Sequence, residues 1–368
     1  MERLARLLAL YDAKAPLDRA STIPADWYRD ADVAHAERRT VFGGNWHAVG
    51  RAEQVAEPGS FLTAEVGGEP VLVARGSDRV LRGFFNVCRH HAAAVAEAAC
   101  GTAERFRCPY HGWTYALDGS LLGTPDFDGV KDFDRGRNGL LPLAVECWAS
   151  FVFVRLETGP NLQDELEGLH ARVAGLDLER FRFFERRSYE LDCNWKVFVD
   201  NYLDGGYHVP HLHKKLDSVL RYSDYTIETG DRFCIQSSPI ESGADAQTAA
   251  LRAGERAFYL WVYPNFMLNA YGSAMDTNLV VPLGVDRTRV VFDFYFDDVS
   301  KAALEKNRRS VTLSESIQHE DVAVCEAVQR GLGSRAYRSG RLSVRREAGE
   351  HLFHRLLARD LERSLAGV

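Results

Sequence analysis

Two pairs of side chains able to hold metal stand out first: Cys88-Arg-His90 and, after seventeen intervening residues, Cys108-Pro-Tyr-His111. Each pair offers one thiolate and one imidazole. A structural zinc site usually segregates its cysteines from its histidines. The mixed pairing fits instead a two-iron cluster in which one iron takes both thiolates and the other both imidazoles. Neutral imidazoles in place of thiolates raise the reduction potential, which suits an electron relay. One zinc held by the same four side chains is the competing reading. Pro109, Gly112 and the run Trp113-Thr-Tyr115 put small residues and backbone donors beside the ligands, and hydrogen bonds to the sulfurs tune such centres.

A second cluster lies in Tyr207-His208-Val-Pro210-His211-Leu-His213. His208 and His213 are five apart, so on an unbroken helix they would diverge by about 140°. Pro210 disfavours helical geometry at Val209. The helix is expected to end there, leaving His213 free to fold back. Asp204 stands four before His208, on the same predicted helical face. Two histidines and a carboxylate make most of a facial triad, which leaves positions open for oxygen and substrate. The carboxylate could instead come from elsewhere, such as Asp321 in His319-Glu-Asp321, a stretch that otherwise reads as a solvated helix face. His211 reads as a spare polar loop residue, with a substrate contact as the alternative.

These residues must be positioned by a chain of 368 residues, enough for about two domains. Its 46% hydrophobic and 26% charged content is that of a soluble globular protein. A net charge of −7 argues against general nucleic-acid binding, which needs a basic face. The N-terminus begins as an amphipathic helix rather than a signal peptide. The most apolar stretch, 140–156, is broken by Pro142, Glu146 and Arg155 and reads as two strands, not a membrane span. A cytoplasmic protein is expected. Seven cysteines, odd in number and widely spread, do not form a disulfide framework. Cys100, Cys147, Cys193, Cys234 and Cys325 read as small buried hydrophobes.

Residues 1–40 read as helical. Short strand-like runs at 64–66, 70–74, 80–85, 105–107, 113–116 and 150–154, separated by Gly and charged turns, make 42–156 an all-β unit. Helical periodicity follows at 161–172 and 195–207, then strands at 258–263, 266–271, 277–281 and 289–296, then helices at 301–332 and 349–365. An antiparallel sheet with helices is an α+β layout. The Gly-Ala-rich piece 242–254 is expected to be a mobile loop. No G-x-G-x-x-G follows a strand, and no flavin or nicotinamide fingerprint is present.

Asn86-Val-Cys88-Arg-His90-His91 and Cys108-Pro-Tyr-His-Gly-Trp-Thr-Tyr115 resemble the Rieske domain of the ring-hydroxylating-type Rieske oxygenases. Asn194-Trp-Lys-Val-Phe-Val-Asp-Asn-Tyr-Leu-Asp-Gly-Gly-Tyr-His-Val-Pro210 resembles their catalytic domain, and is especially similar to the choline monooxygenase group. So do Tyr263-Pro-Asn-Phe266, Glu320-Asp-Val-Ala-Val-Cys-Glu-Ala-Val-Gln-Arg-Gly-Leu332 and Gly349-Glu-His-Leu-Phe-His354. The likeness spans about 46–357.

That resemblance implies an all-β Rieske [2Fe-2S] domain (42–156) inserted in a helix-grip catalytic domain made of 1–41 and 157–368. It implies that Cys88, His90, Cys108 and His111 hold the cluster, and that His208, His213 and Asp321 hold a mononuclear Fe(II). One departure concerns the acid that many members carry three residues before the first iron-binding histidine. That acid bridges the cluster of one subunit to the iron of its neighbour, and here the position is Gly205. Glycines loosen a helix, so a local bulge at Gly205-Gly206 is expected to swing Asp204 into the bridging, catalytic role. The implied activity is O2-dependent monooxygenation, hydroxylation or N-demethylation, of a small quaternary ammonium substrate such as choline. The implied partners are a separate NAD(P)H-dependent flavin/iron–sulfur reductase and two further copies in a homotrimer. A cation would want an aromatic cage, for which Trp261, Tyr263, Phe266, Tyr271 and Tyr295 are the candidates, with Asp276 or Glu241 adding charge. The alternatives are an oxygenase of neutral or aromatic substrates, and an electron carrier with one type of iron site.

Overall fold

The computed structural model describes residues 2–218, 220–240 and 254–366, without the side chains of Lys214 and Lys215. The predicted mobile loop, apart from Gly254, and Glu241 lie outside the described residues. The chain forms two compact units, Phe42–Asp164 and Met1–Val41 together with Glu165–Val368.

The first unit is all β. Its strands are β1 (His47–Arg51), β2 (Ser60–Val66), β3 (Glu69–Arg75), β4 (Leu81–Phe85), β5 (Cys100–Thr102), β6 (Phe106–Arg107), β7 (Thr114–Tyr115), β8 (Leu121–Gly123), β9 (Pro142–Trp148) and β10 (Phe151–Arg155). Seven form a sheet in the order β1-β10-β9-β4-β3-β2-β5, and β6-β7-β8 form a smaller one. The β2–β3 register pairs Val66 with Glu69. That leaves a two-residue loop, Gly67-Gly68, both with positive φ, as the tightest hairpin turns demand. Val71–Ala74 are buried without alternation, as suits an interior strand between β4 and β2 covered on both faces. Two loops carry the metal-ligating pairs, one between β4 and β5 and one joining β6 to β7.

The second unit is an antiparallel sheet packed with helices. Its strands are β11 (Arg182–Leu191), β12 (Thr226–Thr229), β13 (Phe233–Pro239), β14 (Arg256–Val262), β15 (Phe266–Tyr271), β16 (Ala274–Pro282) and β17 (Thr288–Phe296). The order is β11-β17-β16-β15-β14-β13-β12, a meander from β12 to β17 closed by β11 at the far edge. Three helices matter for the site: Trp195–Leu203, Leu304–Leu332 and Ala348–Arg363. Phe353 stacks edge-on against both Trp195 and Trp261 and joins helix to sheet. The N-terminal helix Ala31–Glu37 is tied in by Glu37, whose carboxylate takes Lys196 Nζ at 2.6 Å and Trp195 Nε1 at 2.9 Å. Lys196 and Glu37 are 0% and 3% exposed, and charges buried this deeply must be paired. Burial lowers the Lys196 pKa, partly offset by Glu37.

One expectation fails at two of its five residues. Cys193, Cys234 and Cys325 are buried, but Cys100 and Cys147 are exposed. Cys100 lies on the edge strand β5, every residue of which faces solvent. Cys147 takes an outward position on β9, next to the buried Trp148. No described helix is long and apolar enough to cross a membrane.

Candidate metal centres and substrate cavity

The first site is built from two turns with the same backbone hydrogen-bond pattern. Cys88 N donates to Ala93 O at 2.8 Å, and Ala92 N returns to Cys88 O at 3.0 Å. In the second turn Cys108 N donates to Trp113 O at 2.8 Å, and Gly112 N to Cys108 O at 3.0 Å. The residue four beyond each cysteine has positive φ, 61° for Ala92 and 72° for Gly112. Asn86 braces the first turn, its Oδ1 accepting from Val95 N and Ala96 N and its Nδ2 donating to Ala96 O. Both thiols are buried, at 2% and 3% exposure, in one apolar cluster with Trp113 and Tyr115.

Above them the rings of His90 and His111 lie 4.7 Å apart, and His90 stacks on Trp113 at 4.7 Å and 5°. His90, His91 and His111 bring ligand nitrogens within 4.8 Å of one another. His91 and His111 are exposed and His90 half-buried. Burial and the two neighbouring imidazoles lower the His90 pKa, favouring its neutral, ligating form. Its Nδ1 is buried without a hydrogen-bond partner, an atom placed to be satisfied by metal. Tyr115 Oη lies 3.3 Å from Cys88 Sγ and accepts from Arg89 N at 3.0 Å. Its own proton is therefore available to the sulfur. Burial and Cys88 push the Tyr115 pKa well up, so the proton stays. Two buried thiols, clustered imidazoles and a hydroxyl donor to sulfur fit a mixed-ligand iron–sulfur cluster.

The second site rests on helix ends. The helix predicted over 195–207 stops at Leu203, because Gly205 and Gly206 both adopt positive φ, 69° and 68°. No bulge forms within a continuing helix. A Cβ on Gly205 would sit 2.1 Å from Arg346 O, so this backbone path admits no acidic side chain at 205. The carboxylate next door, Asp204, turns to the histidine instead. Asp204 Oδ2 lies 2.6 Å from His208 Nδ1 and also accepts from His208 N, while Oδ1 accepts from Tyr207 N. Pro210 does not end a helix but sits in the first turn of a new one, Val209–Leu212, where a missing N–H costs nothing. His208 caps that helix at its start and His213 at its end, which turns both imidazoles to one side. His211 is exposed on the same short helix rather than in a loop.

The third group comes from Leu304–Leu332. Asp321 Oδ1 lies 3.0 Å from His213 Nε2 and 3.8 Å from His208 Nε2. His208, His213 and Asp321 offer ligand atoms within 4.8 Å of one another. Each imidazole has a carboxylate on its far nitrogen, Asp204 for His208 and Glu320 for His213, both at 2.6 Å. That arrangement leaves Nε2 as the ligating atom. Burial lowers the His213 pKa, but Asp321 and Glu320 outweigh it and the net direction is up. Asn201 Nδ2 donates to Asp321 Oδ1 at 2.9 Å and orients it. Asn201 and Glu320 went unnoticed as site residues in the sequence, and only the pairing of the two helices reveals them. The donor set, two imidazoles and one carboxylate on one side of a cavity, fits a non-heme iron.

That cavity measures about 110 Å3 and runs from His208, His213 and Asp321 to the sheet. Of the five predicted cage residues only Tyr271 lines it. Tyr295 and Phe266 fall on the opposite faces of their strands from the lining residues Phe292 and Asn269, as β alternation dictates. Tyr295 packs on Phe183 instead. Trp261 shares a face with Tyr259 but lies farther along β14, against Phe353, and Tyr263 joins it there. The aromatic wall is Tyr225, Tyr259 and Tyr271, with ring centroids 6.4 and 5.7 Å apart, plus Tyr202 and Phe292. Asp276 also lines the cavity, its Oδ1 accepting from Asn269 and Asn278. No Lys or Arg occurs among the described lining residues.

Comparison with known proteins agrees with this arrangement. Residues 45–134 match the Rieske [2Fe-2S] domain, and 178–363 match the ring hydroxylating alpha subunit catalytic domain. The chain is 40% identical to choline monooxygenase, chloroplastic, of Arabidopsis thaliana, over 98% of this chain and 87% of that one. It is 31% identical to the carnitine monooxygenase oxygenase subunit of Escherichia coli K12, covering 92% and 93%. A solved quaternary ammonium Rieske monooxygenase, described for carnitine oxidation and inter-subunit electron transfer, superposes with a TM-score of 0.83 at 28% identity, covering 93% and 96%.

Proposed function

Because this chain belongs to the ring-hydroxylating-type Rieske oxygenases and is a Rieske non-heme iron monooxygenase, we propose that it hydroxylates or N-demethylates a small quaternary ammonium compound such as choline. Its resident groups are a [2Fe-2S] cluster and a mononuclear iron. When bound they supply stepwise electron delivery and oxygen activation. We assign the cluster to Cys88, His90, Cys108 and His111, and the iron to His208, His213 and Asp321. Asp204 and Glu320 orient the two imidazoles, and Asn201 orients Asp321.

The observation that carries the substrate reading is the cavity wall. Tyr225, Tyr259 and Tyr271 offer ring faces to a cation, and Asp276 adds negative charge to the same wall. The Gln318 amide also lines the cavity, 3% exposed, with its nitrogen lacking any hydrogen-bond partner. A hydroxyl both donates and accepts, so it satisfies that amide in either orientation. A quaternary ammonium alcohol therefore matches both ends. A carboxylate-bearing cation finds no basic residue among the described lining residues.

Electrons come from a separate NAD(P)H-dependent flavin/iron–sulfur reductase. The working unit is a homotrimer in which each cluster serves a neighbour's iron through Asp204, in line with the inter-subunit transfer described for the solved relative. None of the seven cysteines forms a disulfide, which suits a reducing compartment, and we place the protein in the cytoplasm. The test is oxygen uptake by the reconstituted protein with a generic reductase across choline, glycine betaine, carnitine and several aromatics. Choline should stimulate uptake most. Stimulation by an aromatic and by no cation would overturn the substrate reading.

A further inference from the structure

Beside the iron ligands lies a second constellation that the reaction has not yet used. Asp200 on Trp195–Leu203 faces Glu350 and His354 on Ala348–Arg363, and their ligand-type atoms lie within 4.8 Å of one another. His354 Nε2 is 3.0 Å from Asp200 Oδ1, and Tyr28 donates to Asp200 Oδ2 at 2.6 Å. Glu350 is 6% exposed and its side chain makes no hydrogen bond among the described residues; its nearest ionic partner there is His354 Nε2 at 3.8 Å. On the far side of the imidazole, His354 Nδ1 is buried without a partner, and so is the hydroxyl of Tyr11, whose ring stands edge-on to His354 at 6.3 Å.

The cluster borders a second cavity, about 210 Å3, lined also by Tyr28, Asn201 and Asp204. Tyr337 and Val328 on its wall are exposed, so it reaches solvent. It is polar and roomy enough for water. Asn201 lines both this cavity and the one that holds the iron ligands. The partition between solvent and the oxygen site is therefore one side chain thick at that point.

Monooxygenation consumes protons: R–H + O2 + 2 e⁻ + 2 H⁺ gives R–OH + H2O, with the electrons drawn from an external one-electron donor. We propose that Glu350, His354 and Asp200 form the proton store and relay for this reaction. Glu350 rests as the neutral acid, and its proton passes by way of Asp200 and the water-bearing cavity beside Asn201. The same cavity, open to solvent at Tyr337 and Val328, resupplies it, with His354 Nε2 between Asp200 Oδ1 at 3.0 Å and Glu350 at 3.8 Å. A neutral Glu350 follows from its setting. It has no hydrogen-bond donor to stabilise an anion, and it faces Asp200 and Asp204 from one helix, Glu347 and His354 from its own, and Tyr28 from the N-terminal segment. Burial first, and then the charges of Asp200, Glu347 and Asp204, push its pKa well above the carboxylate range. The proposal rests on the oxygenase reading of the neighbouring site.

The test uses the reconstituted holoenzyme. A carboxylic-acid C=O band should appear in the infrared spectrum near neutral pH and vanish in Glu350→Gln, with iron content and cluster spectrum unchanged. In that variant kcat should fall on the order of 10-fold, with unchanged KM, a larger solvent isotope effect and more peroxide per oxygen consumed. His354→Gln should show the same kinetic pattern, and serves alone if Glu350→Gln cannot be purified. Wild-type kcat and coupling in the variants, or an ionised Glu350 near neutral pH, would overturn the proposal. So would a further metal ion bound at the cluster and lost in Glu350→Gln. Failure of the oxygenase reading would look different: the wild-type protein would hold no mononuclear iron.

Discussion

The proposed cluster site hangs on two backbone turns of a small β unit, whereas the proposed iron site joins both ends of one short helix to the middle of a long one, with carboxylates bracing the imidazoles. In the first, Cys88 and Cys108 are held by hydrogen bonds within six residues of each thiol, and the side-chain ties of Tyr115 to Cys88 and Arg89 span only 27 and 26 residues. In the second, His213 and Asp321 are 108 residues apart. Asn201 ties the helix of Asp321 to Trp195–Leu203, which the Glu37–Lys196 ion pair and the contact of Trp195 with Phe353 anchor in turn. The difference teaches that one site should need its metal to fold, while the other should be preorganised without it.

The largest effect should separate the two directly. Cys108→Ser is expected to lose the cluster, its visible colour and the fold of Phe42–Asp164, because metal-binding energy there is folding energy. His208→Ala should abolish turnover yet keep the cluster spectrum and the melting behaviour of the other unit. Absorbance and calorimetry read both, and equal loss of fold in the two variants would erase the distinction.

The glycines offer a sharper version. Gly205→Ala forces a left-handed residue into contact with Arg346 O, a cost of about 1–3 kcal/mol in strain alone. Gly112→Ala should cost about 1 kcal/mol, since Ala92 already carries a side chain at the equivalent place in the first turn and the nearest atoms belong to the flexible Arg107. Denaturant midpoints give the order.

Asp204→Asn keeps the size of the side chain but weakens its hold on His208. A drop in turnover or iron affinity of roughly 10–100-fold is expected, with the cluster untouched. Full turnover with full electron transfer between the centres would remove Asp204 from the pathway. The smallest effect belongs to the cavity wall. Tyr259→Leu should raise KM for a quaternary ammonium substrate by about 1 kcal/mol, several-fold, and leave the KM of a neutral isostere nearly unchanged.

Legibility in the sequence follows the same divide. Cys88, His90, Cys108 and His111 could be read from spacing because each turn is local, and the short strands around them announced themselves by alternation and by glycine turns. His208 and His213 were legible for the same reason. Asp321 was not legible from spacing, only from resemblance, because helix packing brings it in from far along the chain. The stop at Leu203 was misread as a bulge near Gly205, since no local pattern shows that Arg346 O closes off that position. The cage failed for a geometric reason: aromatic strand residues were plain to see, but not which of them faced the helices and how far along the strand the cavity lay.

The most direct test of a divided pair of centres is a single turnover followed optically. Protein with a chemically pre-reduced cluster is mixed with oxygen and choline, in wild type and in His208→Ala. The division of labour predicts rapid reoxidation of the wild-type cluster, with product formed, and a cluster that stays reduced in the variant. Reoxidation at the wild-type rate in His208→Ala would mean that the cluster reacts with oxygen by itself, and the account of two centres with different tasks would fall.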